Sequence, residues 1–200
     1  MFLFDNYEKL HLELVSSTRL SGMSNYIIKN YHSYVNKTQS VGRRIDWLIY
    51  YKNEIIGMIG VGSSVYPPPK DLLNYVGLSK SEYADKFNTF ANNWRFCLTK
   101  SIKNIGSQTL KHLRTKAPIE WEKKYGDKLE YILTFVGGGN NGAVYLADNW
   151  ELIGETAGLP EHKSSSMKWD NGEQLSEKFV KPTGENKKLI LIKKLAKNRK

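Results

Sequence analysis

Residues 140–156 read NNGAVYLADNWELIGET, and this stretch constrains the chain more than any other. It combines a short helix, a left-handed stop and a departing strand. Asn140 or Asn141 can cap the helix start, and Ala143, Val144 and Ala147 put small apolar residues at helical spacing. Asn149 stands where a helix ends in a left-handed residue, a conformation that Gly and Asn tolerate best, and Trp150 is the apolar residue just beyond. Tyr145 therefore lies one turn before the stop. A tyrosine there has two readings: a packed ring with a satisfied hydroxyl, or a proton donor facing a site.

The 200 residues are 40% hydrophobic. That suits one compact domain over residues 1–200, burying roughly 70% of its unfolded surface without staples. The single cysteine, Cys97, excludes an internal disulfide framework and an all-cysteine metal site. His11, His32, His112 and His162 show no metal-ligand spacing, so no structural metal is expected. The first residues include Asp5, Glu8 and Lys9, and no apolar run approaches about 18 residues. Neither a signal peptide nor a membrane span is expected, and the default compartment is the cytoplasm.

Charge points to a partner. Thirty Lys and Arg against 20 Asp and Glu give +10, a balance that favours an anion, nucleic acid first and an anionic cofactor next. Seven basic residues and no acid occupy residues 187–200, a tail whose last residues read as a solvated end. A second cluster between residues 100 and 124 includes Lys103, Lys111, His112, Arg114 and Lys116. Abundant Lys, Asn, Ile and Tyr also fit an AT-rich coding sequence, so composition alone does not identify DNA as the partner.

Alternating Leu10, Leu12 and Leu14 suggest a first strand, and residues 21–34 a helix. Residues 45–51 and 55–61 are β-rich runs separated by Lys52, Asn53 and Glu54, the pattern of a hairpin. Pro67, Pro68 and Pro69 break regular structure before a helical stretch at 71–90. A strand is expected at 94–98, a loop at 100–105, and a helix at about 107–115. Pro118 is expected to open a further helical turn through Lys124. A strand at 129–136 ends at Gly137, Gly138 and Gly139, residues 171–186 read as a loop with helical pieces, and 189–195 as a last strand. The sum is an α/β or α+β architecture with a mixed central sheet flanked by helices.

Residues 92–113, NNWRFCLTKSIKNIGSQTLKHL, run strand, turn, helix. The helix would begin near Ser107, after Asn104, Ile105 and Gly106. Free amides at such a start can hold an anion, although a lone glycine before a serine is also an ordinary helix cap.

The Tyr-x-x-x-Asn-Trp junction at Tyr145 resembles the helix-to-strand junction of the GCN5-related acyltransferases (GNATs), whose usual form is Tyr-x-x-x-Gly-Phe. That resemblance implies an acyl-CoA or related donor, with Tyr145 protonating the departing thiolate. It also implies a pyrophosphate site at Asn104, Ile105, Gly106 and Ser107, where only one glycine of the usual signature is present. Asn92 to Phe96, the 104–107 turn with Leu110, Thr134-Phe135, and Gly142 to Trp150 with Gly154-Glu155-Thr156 together resemble a narrower group. This is the A-component family of the Druantia phage-defence proteins and, more distantly, the Mom DNA-modification proteins of phages. The resemblance spans roughly residues 45–195, and the first 40 residues contribute little.

What this second resemblance implies is a GNAT-like fold adapted to DNA in a bacterial cell. Mom-type proteins alter the exocyclic amine of adenine and shield DNA from restriction. An aspartate normally ends the Mom strand before the glycine-rich loop, and here Val136 and Gly137 stand in its place. Tyr145, Arg95 and Ser107 become the candidate catalytic residues, with Arg95 neutralising a phosphate or carboxylate. Lys103, Lys111 and Arg114 would form a basic rim for DNA. Asp148 and Glu155 are candidate bases, Asp148 reading better as a solvated helix-end residue. Trp94 and Trp150 read as core residues that could instead stack on a base. A non-catalytic DNA-binding component on the same fold is the alternative, and an ordinary small-molecule or protein N-acetyltransferase is a third.

Overall fold

The computed structural model describes residues 9–32, 37–158, 169–170, 173–174 and 187–195. Its centre is a seven-stranded sheet built from β1 (His11–Leu14), β2 (Arg44–Tyr51), β3 (Glu54–Ser63), β4 (Phe90–Leu98), β5 (Tyr131–Val136), β6 (Glu151–Glu155) and β9 (Leu189–Lys194). The strand order is β1-β2-β3-β4-β5-β9-β6. All neighbours are antiparallel except β4 and β5. A two-stranded ribbon pairs β7 (Trp169–Asp170) with β8 (Glu173–Gln174). The mixed sheet flanked by helices is the architecture expected from the sequence.

The β2–β3 hairpin turns on Lys52 and Asn53, whose φ angles are 49° and 62°. Positive φ at both central residues matches the right-handed twist of the flanking strands. Both runs are almost continuously apolar because both sheet faces are covered. On one face α4 (Ile105–Tyr125) lays Leu110, Leu113, Ala117 and Trp121 over Trp47, Ile59 and their neighbours. On the other, α1 (Thr18–Tyr31) covers Leu48, Met58 and Cys97. On that same face, the segment with α2 (Lys70–Val76) and α3 (Lys80–Asp85) covers Phe90, Leu133 and Ile192.

Several boundaries differ from expectation, each for a physical reason. Helix α1 begins earlier than residue 21, because the Ser17 hydroxyl accepts a hydrogen bond from the Leu20 amide. It ends at Tyr31, short of residue 34, because His32 turns to extended backbone at φ -73° and ψ 128°. The helical stretch at 71–90 is two helices and a 3-10 turn, divided where Gly77 turns left-handed at φ 66° and Ser79 forms a capping box with Glu82. Strand β4 begins at Phe90, not residue 94, although Asn92 and Asn93 are poor strand formers. Helix α4 starts at Ile105 and continues through Pro118 to Tyr125 as one element. Within 171–186, Glu173–Gln174 is a strand and the rest lies outside the described residues.

Candidate active site

Strands β4 and β5 run side by side only briefly. They pair at Phe90, Ala91 and Asn92 with Tyr131, Ile132 and Leu133, and then separate. On its other edge β4 bulges, because Gly60 faces Arg95 while Gly62 faces Asn92, so Asn93 and Trp94 together oppose Val61. The splay opens a cavity of 290 Å3, walled by residues 93–96, 134–136 and 140–145, with His32 at its edge.

A polar tie sits inside this opening. The Tyr145 hydroxyl donates to Asn93 Oδ1 at 2.7 Å, and Asn93 Nδ2 donates to the Gly60 and Arg95 carbonyls at 2.7 and 3.1 Å. Tyr145 is 7% exposed and Asn93 is 4% exposed, so the hydroxyl acts in a low-dielectric setting. The edges of Phe96 and Trp150 pack the tyrosine ring at centroid distances of 6.3 and 5.0 Å.

Local chemistry explains why Tyr145 points there. Gly142 starts α5 (Ala143–Leu146) at φ 71°, and Asn141 Oδ1 accepts from the Ala143 amide. Asn149 reverses the chain at φ 56°, and the Trp150 amide returns to the Tyr145 carbonyl at 3.0 Å. The helix, left-handed stop and strand therefore stand as the sequence implies. Trp150 and Trp94 are both buried, in the packing roles expected of them.

The 104–107 turn adjoins α5 without entering the cavity. Asn104 is left-handed at φ 61°, and the Ser107 hydroxyl donates to its carbonyl at 3.2 Å. Ile105 is buried in the core, and a Cβ on Gly106 would overlap Val144 Cγ2. Ser107 does not line the cavity that Tyr145 and Arg95 line.

Arg95 lines the cavity and spreads over the Trp94 ring at 4.7 Å, donating to the Trp94 and Lys37 carbonyls. Burial, and secondarily the Arg95 charge, lowers the neighbouring His32 to about 4. Lys103 and Lys111 are exposed. Arg114 is already paired: it grips Asp148 with two hydrogen bonds of 2.8 and 2.7 Å. Asp148, only 6% exposed, also accepts from Trp150 Nε1, so it is a buried latch and not the solvated helix-end residue expected. Glu155 is exposed and pairs with Lys187 at 3.8 Å. Burial pushes the Cys97 thiol up to about 11, which keeps it protonated.

A second cavity, of 940 Å3, opens on the α2 side of the splay. It shares Asn93, Trp94, Arg95 and Phe135 with the first, so the two adjoin at the same strands. Asn92 and Asp71 line it as well. Sequence reasoning missed Asn93, His32 and Asp71. Only Asn93 left a trace, a polar residue inside the strand of the 92–113 segment. Among the described residues no group of three or more His, Cys, Asp or Glu could hold a metal ion.

The sequence model of the family described as Druantia protein DruA matches residues 4–158. The chain belongs to the Druantia protein DruA family. The DruA match takes in residues 4–40, which the motifs left almost outside the resemblance, and stops before β9. No curated protein matches the chain significantly. Among solved structures, a Bacillus subtilis acetyltransferase in complex with CoA aligns with TM-score 0.54 at 14% identity, covering 94% of this chain and 100% of its own. The ribosomal-protein-S18-alanine N-acetyltransferase from Escherichia coli aligns with TM-score 0.54 at 10% identity, over 95% and 96%. An N-acetyltransferase from Staphylococcus aureus Mu50 aligns with TM-score 0.51 at 12% identity, over 94% and 99%. This DruA-family chain therefore has the GNAT fold. Among its described residues no helix is long and apolar enough to cross a membrane.

Proposed function

We propose that this protein transfers a group from an acyl-CoA or related thioester donor to an exocyclic amine of a DNA base, adenine first. The observation that carries this reading is the splay of β4 from β5, with the Tyr145 hydroxyl buried inside it. Strand edges that part leave backbone amides and carbonyls unpaired with each other, and an extended amide-bearing chain such as a pantetheine arm can occupy them. First-turn amides of α4 beside Lys103 suit the diphosphate. When bound, the donor would supply a carbonyl carbon activated by its sulfur.

The residues would divide the work. Asn93 orients the Tyr145 hydroxyl, and Tyr145 gives a proton to the departing sulfur. Arg95, beside both cavities, stabilises negative charge. The net charge of +10 supports an anionic partner, and Lys103 and Lys111 are the exposed cations of the rim. An adenine amine is stacked inside duplex DNA, so the acceptor would be an extruded or single-stranded base. The motif likeness to Mom supports DNA as the acceptor, whereas the Mom aspartate has no counterpart at Val136.

The test is mass spectrometry of nucleosides digested from DNA of cells expressing the wild-type chain or Tyr145→Phe. A new nucleoside with wild type, reduced at least about 100-fold by Tyr145→Phe, is expected. Full activity in the variant would remove Tyr145 from the chemistry. One observation favours the alternative of a non-catalytic DNA-binding component: Val144 fills the space over Gly106. On that reading DNA binds, no new nucleoside forms, and acetyl-CoA has no measurable affinity.

A further inference from the structure

The 940 Å3 cavity on the α2 side is lined by two residues, Asn92 and Asp71, that carry acceptors no donor among the described residues satisfies. Asn92 Oδ1 is buried and has no partner among the described residues. Asp71, in the first turn of α2, is half-buried, and no hydrogen bond or ion pair of the described residues engages its carboxylate. The other carboxylate lining this cavity, Glu155, is exposed and pairs with Lys187. Room for Asp71 is made by β6, because a Cβ on Gly154 would overlap its Oδ2. Lys70, Arg95 and Lys188 are the cations around the same cavity, and nearby on β6 Glu151 is occupied by the Tyr75 hydroxyl.

A buried acceptor without a donor, as at Asn92 Oδ1, is costly, and a ligand that brings an N–H group to it while a second N–H meets the Asp71 carboxylate relieves that cost. The remaining wall, with Val65, Pro67, Pro69, Trp94 and Phe135, is apolar and suits a flat ring. We infer that this cavity is the acceptor site, that Asn92 and Asp71 receive the two N–H bonds of a nucleobase amino group, and that Asp71 takes the proton. The inference rests on the transfer reading above. The nitrogen bonds to the thioester carbonyl carbon as the carbon–sulfur bond breaks, its proton passes to Asp71, and the sulfur is protonated by Tyr145. Exchange with water returns both residues to their starting states.

The full chain is titrated with a labelled oligothymidine carrying one central adenine, and with the same strand carrying purine, which lacks the amino group. Wild type should bind the adenine strand about ten-fold more tightly. Asp71→Ala and Asn92→Ala should each shrink that preference below about three-fold, with the affinity for plain oligothymidine unchanged. Asp71→Asn still accepts a hydrogen bond, so it should retain most of the preference while forming product about 100-fold more slowly. Equal affinity for the two strands, or a preference that survives both alanines, overturns the amine site. Adenine preference without a new nucleoside in wild type would leave the amine site standing and remove the transfer reading, together with the proton-taking role of Asp71. A new nucleoside formed at an undiminished rate by Asp71→Asn overturns that role alone.

Discussion

Arg114 and Asp148 carry charges that look available in the sequence and are spent on each other in the fold. The partner of each lies 34 residues away, so no local pattern announces the pair. His32 is a similar case, an ordinary surface-type residue in sequence that folding places against Arg95. Its lowered value near 4, against 6.5 for a free histidine, means that the folded state resists protonation. Above pH 6.5 the ring is neutral in both states. As pH falls from 6.5 towards 4, only the unfolded chain takes up the proton, so stability is lost over that window. Because His32 is half-exposed, the loss should be small, about 1–2 kcal/mol. Thermal melts at pH 7 and pH 5 check this, and His32→Gln should abolish the part of the decline due to this residue.

Elements were legible where their cause is local. Asn149 ends α5 because a left-handed stop depends on a residue's own backbone, and Lys52-Asn53 turns the hairpin for the same reason. The start of β4 is not local. Asn93 belongs in a strand because its amide finds the Gly60 carbonyl and the Tyr145 hydroxyl, contacts that exist only after the sheet and α5 assemble. Pro118 misleads in the opposite sense: its ring disfavours a helix interior, yet Ala117 and Trp121 on either side are fully buried and hold α4 together. The contact of α4 with α5 is tight at Gly106, where Val144 occupies the space of a side chain. Gly106→Ala should therefore destabilise the protein by about 1–2 kcal/mol, despite the better helix propensity of alanine. Urea unfolding should show the loss, and adding Val144→Ala should recover most of it. Undiminished stability in the single variant would mean that α5 moves aside without cost.

At the scale of the whole molecule, the net charge of +10 predicts that the proposed DNA binding is salt-sensitive, because each neutralised phosphate releases counterions. The slope of log affinity against log salt should fall by about one for Lys103→Ala and for Lys111→Ala. Arg114→Ala should leave the slope unchanged and lower the melting temperature, since its guanidinium serves Asp148. A change in slope with Arg114→Ala alone would reverse the assignment of the rim. Sequence by itself determined the architecture, the helix-stop-strand junction, the hairpin and the position of Tyr145, because periodicity and backbone conformation are properties of neighbouring residues. Tertiary structure alone decided the parting of β4 from β5, the tie of Tyr145 to Asn93, and the meeting of Asn92 with Asp71 in one cavity. These depend on strands and helices distant in the chain, and whether a polar group is satisfied or left waiting is decided only when those elements pack.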